Sequence, residues 1–531
     1  MPRTPKIPGE RRPGLYGRID AALKRHIPWL WFRLKVIFAV AAALAVLVFL
    51  VSVGLDVWGS LELRSARSEA AAKGVKLSRP AAPSVSEEKN AANYYEAAFS
   101  LLRAEGAAPS RQAVPLVSGM VYARRRDLTD DQWRVAQDLR GINESPVFPM
   151  PDYVLADTKA YVNERAVIID LLRRGYNLPE VKYHETYIDP AAFSSWSWEE
   201  WYRNKAGAAS RLMALAAWVE AEEGRGSDAA ATVRQNLAMA MSFRNEPRMI
   251  PALVGMACTS ITVSGLTRVA SRAKLSNADL EALQKDFEKY AAELSLRPAS
   301  EGELALVCGR YQALLTGRIT LRELFGQTDD HWSRALDEGL LTRMLVWMWD
   351  ADAFRQDIRD IRWHMPVWLM RGVVKADEAA VIRYSIRFLG HADKPTAAFF
   401  RSGDPAMAKA LEGFHPVAEG TLPGAERALL QCELTRAKLK ATAAGIAALR
   451  YRNDKGRWPE TLEALAPKYL DKVPIDPLSG GSLMYKVLDD GIVIYSVGEN
   501  GVDDGGQGYI SGTGARTDAD DVGFCVRKPS P

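Results

Sequence analysis

Apolar residues recur at intervals of three and four through most of the chain between residues 90 and 425, which is the spacing of amphipathic helices. One clear helix start lies at Ser276, a residue type that favours the N-cap position, with Asp279 at the third helical position. Leu280 and Leu283 then open the apolar series. The pattern predicts a body built from amphipathic helices with defined starts.

Two alanine-rich helical stretches, 211–223 and 227–244, flank the tripeptide Gly224-Arg225-Gly226. Two helices joined by such a short glycine-containing turn form an αα-hairpin. This unit resembles a tetratricopeptide hairpin, but the 34-residue signature of that repeat does not recur along the chain. The sequence therefore predicts an irregular array of helical hairpins over residues 90–428 and not a regular solenoid.

The segment from Val36 to Leu55 contains twenty residues without a charge. That is the length of a helix that crosses the hydrocarbon core of a bilayer. A cleaved signal peptide is the alternative. The apolar region of a signal peptide is typically shorter, and it is followed closely by a small-residue cleavage site, whereas no Ala-x-Ala site closely follows Leu55 in this chain. The sequence predicts an uncleaved single-pass anchor, with the lipid bilayer as its partner and residues 56–89 as a linker.

Residues 1–35 carry nine basic side chains against two acidic ones, although the formal net charge of the whole chain is only +4. The positive-inside rule places this basic tail in the cytoplasm and residues 56–531 outside, so we expect an inner-membrane protein with a periplasmic body. Because the rest of the chain is slightly acidic, we expect no nucleic-acid partner.

A different pattern begins near residue 429. A long helix is predicted from Glu433 to Asp454, with Lys455-Gly456 ending it, and strand-like runs follow at Ser482–Leu488, Ile492–Ser496 and Val522–Arg527. The predicted fold class is mainly α, with a single transmembrane helix, an irregular helical-hairpin body at 90–428 and a small α+β domain at 429–531. A short antiparallel sheet belongs to this last domain.

The four cysteines leave two interpretations open. Cys258, Cys308, Cys432 and Cys525 are even in number and would face an oxidising compartment, so they permit two disulfides, such as Cys258 with Cys308 and Cys432 with Cys525. Equally, four buried thiols can act as small apolar side chains. Connectivity does not follow from the sequence.

The segment Tyr495–Gly506 is rich in glycine and acidic residues, and Asp518–Asp521 follows it. Glycines permit sharp turns, and several converging oxygens are what a hard cation such as Ca²⁺ requires. The spacing is not that of an EF-hand loop. The alternative is an exposed acidic loop without an ion. The side chains that offer oxygens are Asn500, Asp503, Asp504, Asp518, Asp520 and Asp521.

An ordered series of motifs runs from residue 434 to 524: a long helix, Asp-Lys-Gly-Arg-Trp-Pro, Tyr-Leu-x3-Pro-x-Asp-Pro, and the glycine-rich acidic loop. The series resembles the globular C-terminal domain of the major pseudopilin of type II secretion systems. This resemblance implies a calcium ion in the last loop. It assigns the first ligand position to Asn500, the following loop to Val502–Asp504 and the closing acids to Asp520 and Asp521, or alternatively to Asp518 and Asp520.

The sequence departs from that family in three ways. Asn500 stands where the family has an aspartate, the loop 507–517 is longer than expected, and the chain lacks the pseudopilin processing site. We therefore do not expect it to be processed and polymerised as a pilus subunit. The whole chain resembles membrane-anchored envelope proteins of planctomycete-type bacteria, a group that implies an architecture but no activity.

Other features of the helical body lead to further predictions. The apolar segment 339–374 is interpreted as helical core, with a face resting on the membrane as the alternative. The Trp196–Tyr202 cluster is interpreted as core, with a peptide or sugar cleft as the alternative. Glu301 and Glu303 are expected in an interhelix turn with a partner or capping role. The six histidines are scattered singly and indicate no catalytic site.

These observations favour a non-enzymatic envelope scaffold or interaction protein with protein partners, possessing a calcium-stabilised terminal domain and a link to a secretion-like apparatus. The alternative is an envelope-polymer hydrolase that uses acidic residues of the helical body. Two buried carboxylates converging in a deep pocket of the helical body would favour the hydrolase, whereas a shallow apolar groove would favour the interaction protein.

Overall fold

The computed structural model describes residues 28–78, 84–105, 152–183, 196–320, 367–393, 397–411, 418, 424–506 and 521–527. These residues form a mainly α protein with one short antiparallel sheet, which confirms the predicted fold class. The helices are α1 (Pro28–Ala72), α2 (Ala91–Glu105), α3 (Asp152–Glu164), α4 (Ala166–Tyr176), α5 (Trp196–Glu222), α6 (Gly226–Met241), α7 (Met249–Arg272), α8 (Asn277–Glu293), α9 (Arg297–Leu315), α10 (Val367–Asp393), α11 (Ala397–Ser402), α12 (Pro405–Ala410) and α13 (Ala425–Lys455). The strands are β1 (Met484–Leu488), β2 (Gly491–Ser496) and β3 (Val522–Arg527), and three short 3₁₀ turns lie at Glu87–Lys89, Ser242–Asn245 and Glu463–Leu465.

The chain divides into two compact units. The first unit takes residues 1–63 and 330–376, and the second takes 64–329 and 377–531. Each unit is thus made of two separate segments, whereas each predicted domain is one continuous segment. The predicted boundaries at 89/90 and 428/429 stay predictions.

Helix α1 dominates the described part of the first unit. Its apolar stretch is almost wholly exposed, and the helix has the length and composition of a membrane anchor or a signal sequence. Helix α7 passes the same test of length and composition, but 61% of its most apolar window is buried. It is therefore a core helix of the second unit.

The predicted αα-hairpin is present as α5 and α6. Its turn places Gly224 at φ 76°, a backbone conformation that side chains with a Cβ rarely adopt. Small residues such as Ala217 and Ala230 are fully buried along the two helices, which lets their backbones approach closely. Helix α7 then packs against both members of the hairpin.

The predicted start of α8 is confirmed. The Ser276 hydroxyl accepts a hydrogen bond from the Asp279 backbone N–H at 3.1 Å, as an N-cap does. Leu275 and Leu280, on either side of the cap, are both buried. This cap and its flanking leucines fix where α8 enters the core.

Two predictions about Glu301 and Glu303 have different outcomes. The predicted interhelix turn is wrong, because both residues lie within α9. The predicted capping role is correct for Glu303, whose Oε1 accepts hydrogen bonds from Arg248 Nε at 3.1 Å and from the Met249 backbone N–H at 3.0 Å. A carboxylate there satisfies an otherwise unpaired donor at the first turn of α7.

The long helix α13 ends as predicted at Gly456, which adopts the left-handed conformation with φ 72°. It begins eight residues before the predicted Glu433. The three strands form an antiparallel sheet in the order β1-β2-β3, close to the predicted bounds. In the register of β2 and β3, Ile494 lies opposite Phe524.

One hydrophobic cluster of the second unit joins the helical body to the sheet. It contains Leu237 of α6, Leu266 of α7, Phe287 of α8, Ile446 of α13 and Ile494 of β2. A second cluster centres on α2, α4 and α5. Because α13 and one face of the sheet share their core with α6 to α8, the C-terminal segment is packed as part of the body.

All four cysteines are free thiols, and all four are buried. Of the two interpretations left open by the sequence, the structure contains the buried thiols and not the bridges. Burial raises the pKa of the Cys258, Cys308, Cys432 and Cys525 thiols to about 12. Such thiols stay protonated and act as small apolar side chains.

Candidate functional site

The predicted metal loop follows β2 as a compact turn. Gly498 and Gly501 both have positive φ values, 67° and 68°, so glycine is needed at both places. Between them Asn500 accepts a hydrogen bond from the Val502 backbone N–H through Oδ1, at 2.8 Å. Its Nδ2 donates to Asp504 Oδ2 at 2.9 Å. The Asn500 side-chain amide thus links two other residues of the same loop, Val502 and Asp504.

Asp503 ties the loop to the sheet. Its Oδ1 accepts hydrogen bonds from the Tyr495 hydroxyl at 2.9 Å and from the Gly505 backbone N–H at 2.8 Å. Tyr495 is fully buried in β2, and burial together with Asp503 raises the pKa of its phenol. The Lys486 ammonium donates to the Gly505 carbonyl oxygen at 2.8 Å, which places a positive charge beside the loop.

Asp521, at the start of β3, closes the loop from the other side. Its Oδ2 accepts a hydrogen bond from the Gly506 backbone N–H at 2.7 Å. Its Oδ1 is buried and makes no hydrogen bond of normal geometry among the described residues, although the nearby Asp504 backbone partly offsets the rise in the pKa of the carboxyl. Burial, followed by repulsion from Asp504 and Asp503, raises the pKa of this carboxyl. A buried carboxylate oxygen without a normal hydrogen bond is a place where a cation would be stabilising.

The predicted ligands are therefore only partly assembled. Asn500, Val502, Asp503 and Asp504 share one turn, Asp521 reaches it from β3, and Asp518 and Asp520 lie outside the described residues. Within the described ranges no three His, Cys, Asp or Glu side chains are grouped so that they would hold a metal ion. Calcium takes six to eight oxygens, and the described residues alone do not supply that set. Calcium binding stays a prediction.

Asp476, the buried aspartate of the Tyr-Leu-x3-Pro-x-Asp-Pro motif, supports the same loop, a role that the sequence did not indicate. Asp476 Oδ1 accepts hydrogen bonds from the Ser496 hydroxyl at 2.7 Å and from the Leu478 backbone N–H at 3.0 Å. Its Oδ2 accepts another from the Ser479 hydroxyl at 2.8 Å. The Asp476-Pro-Leu-Ser479 turn therefore fixes the end of β2.

The second feature is an open cleft of about 660 Å³ between α8, α13 and the connection 467–475. On the α8 side, Glu281 pairs with Lys285 at 2.7 Å and with Arg450 of α13 at 3.3 Å. The Lys440 ammonium donates to the Ile475 carbonyl oxygen at 2.9 Å. The cleft has a wall of mixed charge and is suited to a polar ligand with both hydrogen-bond donors and acceptors.

The pKa of one charged group is lowered on each side of the cleft, for different reasons. Burial, and next the nearby Arg436, lowers the pKa of the Lys440 ammonium. On the opposite wall the hydrogen bond from Lys285 lowers the pKa of Glu281. Glu281 therefore stays ionised near neutral pH, which suits a recognition group and does not suit a general acid.

The most deeply buried acids lie elsewhere. Asp377 and Glu378 of α10 are both fully buried, and neither lines the cleft. Glu378 Oε1 accepts a hydrogen bond from Arg67 Nη2 at 2.7 Å, and burial raises the pKa of the Glu378 carboxyl. Burial, followed by the nearby Asp377, raises the pKa of the Tyr311 phenol. These residues lie in the interior of the second unit.

Several other predicted features fall partly or wholly outside the described residues. The side chains of the Trp196–Tyr202 cluster and the segment 339–366 are among them. His26, His184, His331, His364 and His415 are as well. His391 is described: its Nε2 lies 3.0 Å from Asp404 Oδ2 and its ring stacks on Phe399 at 4.2 Å between centroids. It joins α10 to the N-cap of α12.

Comparison of the chain with protein-family models, with curated proteins and with solved structures finds no match. The site is therefore defined by its own geometry. Two structures within the second unit stand out: the acidic loop closed by Asp521, and the cleft between α8 and α13.

Proposed function

We propose that this chain is a membrane-anchored, non-enzymatic scaffold or interaction protein of the bacterial envelope. One observation carries the proposal: α1 is a single helix in which the exposed apolar stretch Val36–Leu55 is followed by the buried residues Leu63, Ala66 and Ala70. Exposed apolar surface of this extent requires a partner such as the bilayer. The buried residues that follow belong to the packed part of the protein.

The orientation is also a proposal. The basic tail 1–35 favours a cytoplasmic N-terminus in the inner membrane, with the body in the periplasm. Membrane type and topology therefore rest on the charge pattern.

The cleft supports the interaction role. It is open, it is lined by charged side chains from three segments, and its volume is in the range of ligand pockets. Lys472 lies exposed at its edge. We propose that this cleft is a contact site for a protein partner in the envelope. The order of a long helix followed by three antiparallel strands supports the pseudopilin-like interpretation of the last domain, and with it a link to a secretion-like apparatus.

Calcium is the proposed stabiliser of the acidic loop. The support is the buried Asp521 Oδ1, which makes no hydrogen bond of normal geometry among the described residues, beside Asp503 and Asp504. An ion shared by these carboxylates would remove their mutual repulsion. Among the described residues, the alternative of an envelope-polymer hydrolase gains no support from the cleft, since Glu281 is ion-paired there and the buried acids of α10 do not line it.

Site-specific photo-crosslinking in the native envelope tests the interaction role. A photoreactive amino acid replaces Lys472 at the cleft and, as a matched control, the exposed Lys409 of α12, which lies outside the cleft. We expect a discrete cross-linked partner at position 472 and none at 409. No product at 472, or the same products at both positions, would contradict a partner site in the cleft.

A further inference from the structure

The last turns of the apolar stretch of α1 contact the first turns of α10 within the first unit. Ser52 is buried, whereas its neighbours Val51 and Val53 are 52% and 46% exposed. Its hydroxyl donates a hydrogen bond to the Leu369 carbonyl oxygen at 3.3 Å. A polar side chain inside an apolar stretch is thus satisfied by the backbone of another helix, as is common between helices in membranes.

Two glycines bring the backbones together one to two turns further on. A Cβ added at Gly59 would overlap the Gly372 carbonyl group, and one added at Gly372 would overlap the backbone of Leu55. Small residues at a helix crossing allow this close approach, which is a frequent device between membrane helices. The crossing fixes α10 directly against α1 at the end of the apolar stretch.

Charged groups appear on both helices at the same level. The Lys375 ammonium pairs with Asp56 Oδ1 at 2.7 Å and donates to the Ser60 hydroxyl at 2.9 Å. Arg371 lies 3.9 Å from the same carboxylate. Asp56 is the first charged residue after the apolar stretch. Such a cluster is expected where a helix leaves the hydrocarbon core and enters the headgroup region.

The contacts advance in the same direction along both helices, from Ser52 with Leu369 to Asp56 with Lys375. The two helices are therefore parallel here, and the start of α10 points the same way as the apolar stretch of α1. At 1.5 Å per residue, Leu369 lies about 9 Å along α10 from Lys375. If Asp56 and Lys375 mark the membrane surface, Leu369 lies below it.

We infer that the first turn of α10, Val367–Met370, is immersed in the same bilayer beside α1, with Asp56, Arg371 and Lys375 at its surface. This inference rests on the proposed anchor, and the surrounding medium is the lipid bilayer because Leu369 contacts α1 at Ser52, inside the exposed apolar stretch of that helix. The chain would then be held in the membrane by two separate segments and not by one.

Lipid-phase fluorescence quenching tests the inference on the full chain in phosphatidylcholine and phosphatidylglycerol vesicles. Single cysteines replace Leu369, Val53 on the exposed side of α1, and Lys409 as an aqueous control, and each is labelled with bimane. The four native thiols are buried and do not compete for the label. We expect brominated lipid to quench the probe at 369 as strongly as at 53, and not at 409.

The outcomes separate the two proposals. Quenching at 53 without quenching at 369, with iodide in the water reaching 369, would overturn the second membrane segment and leave the anchor intact. No quenching at 53 would overturn the anchor and the inference together.

In the Leu369→Cys protein, Gly59→Leu is expected to reduce the quenching, whereas Gly54→Leu, at a position with open space around an added Cβ, is expected to leave it unchanged. Equal effects of the two leucines would contradict the glycine crossing.

Discussion

The ring of Phe524 in β3 packs directly on Gly445 of α13, so closely that an added Cβ at Gly445 would overlap the ring. Phe524 is 1% exposed, and its cross-strand neighbour Ile494 belongs to the same face of the sheet. This contact seats the sheet on the long helix. It explains why a glycine is placed in the middle of a helix, where glycine is otherwise unfavourable.

Gly445→Ala is expected to destabilise the protein by roughly 1–3 kcal/mol, because the new methyl group must displace a buried ring. Urea unfolding monitored by circular dichroism measures the free energy of unfolding. The matched control is Gly390→Ala in α10, where nothing lies within contact distance of the added Cβ. That change is expected to be neutral or stabilising by up to about 1 kcal/mol, since alanine favours helix. Similar losses for both variants would contradict the role of the contact.

Ser496→Ala is expected to lower the free energy of unfolding by about 1–2 kcal/mol, because it removes the hydroxyl donor to the buried Asp476 carboxylate. Ser100→Ala is the control, since the Ser100 hydroxyl bonds only to the backbone of its own exposed helix face. The comparison uses the same urea unfolding. A loss at Ser100 as large as that at Ser496 would show that the Asp476 turn does not fix β2.

Glu378 predicts a pH dependence of stability. Burial raises the pKa of its carboxyl above the ordinary value of 4.5, so the folded state binds the proton more tightly than the unfolded state. Its contribution is therefore fully present below pH 4.5 and is lost as the pH rises through the raised pKa. Glu378→Gln is expected to flatten this part of the curve of unfolding free energy against pH. The exposed Glu460→Gln is the control, and an unchanged slope in Glu378→Gln would refute the assignment.

Calcium removal tests the acidic loop. We expect the melting temperature of the full chain in detergent to rise with millimolar Ca²⁺ and to fall again with a chelator, because an ion that binds only the folded state stabilises it. Asp521→Asn is expected to abolish the shift. Asp489→Asn, at an exposed turn between β1 and β2, is expected to retain it. If the melting temperature of the unaltered protein is the same with and without Ca²⁺, the proposed calcium site is wrong.

Local signals made much of the fold predictable from the sequence. The Ser276 cap, the Gly456 helix end and the three strands all depend on neighbouring residues, and all are present. The cleft was not predictable, because Glu281 and Lys468 are far apart in the sequence and come to line the same cleft only through the packing of the folded chain. The cap that Glu303 provides for α7 is long-range in the same way.

In the candidate site, too, local features were predictable from the sequence and long-range contacts were not. Glycine and aspartate spacing predicted the turn at 498–506, whereas the support from Asp476 depends on a hydrogen bond that crosses twenty residues. The contact of Ser52 with Leu369 joins residues 317 positions apart, and no periodicity in the sequence indicates it. Composition identified the apolar stretch, but only the folded chain brings a second segment to it.

The most direct test of the central claim is the fate of the native protein when membranes are extracted with alkaline carbonate, followed by intact mass measurement of the extracted chain. We expect the protein to stay in the membrane pellet and its mass to include residues 36–55. Release into the supernatant, or a mature chain that begins after Leu55, would contradict membrane anchoring by α1.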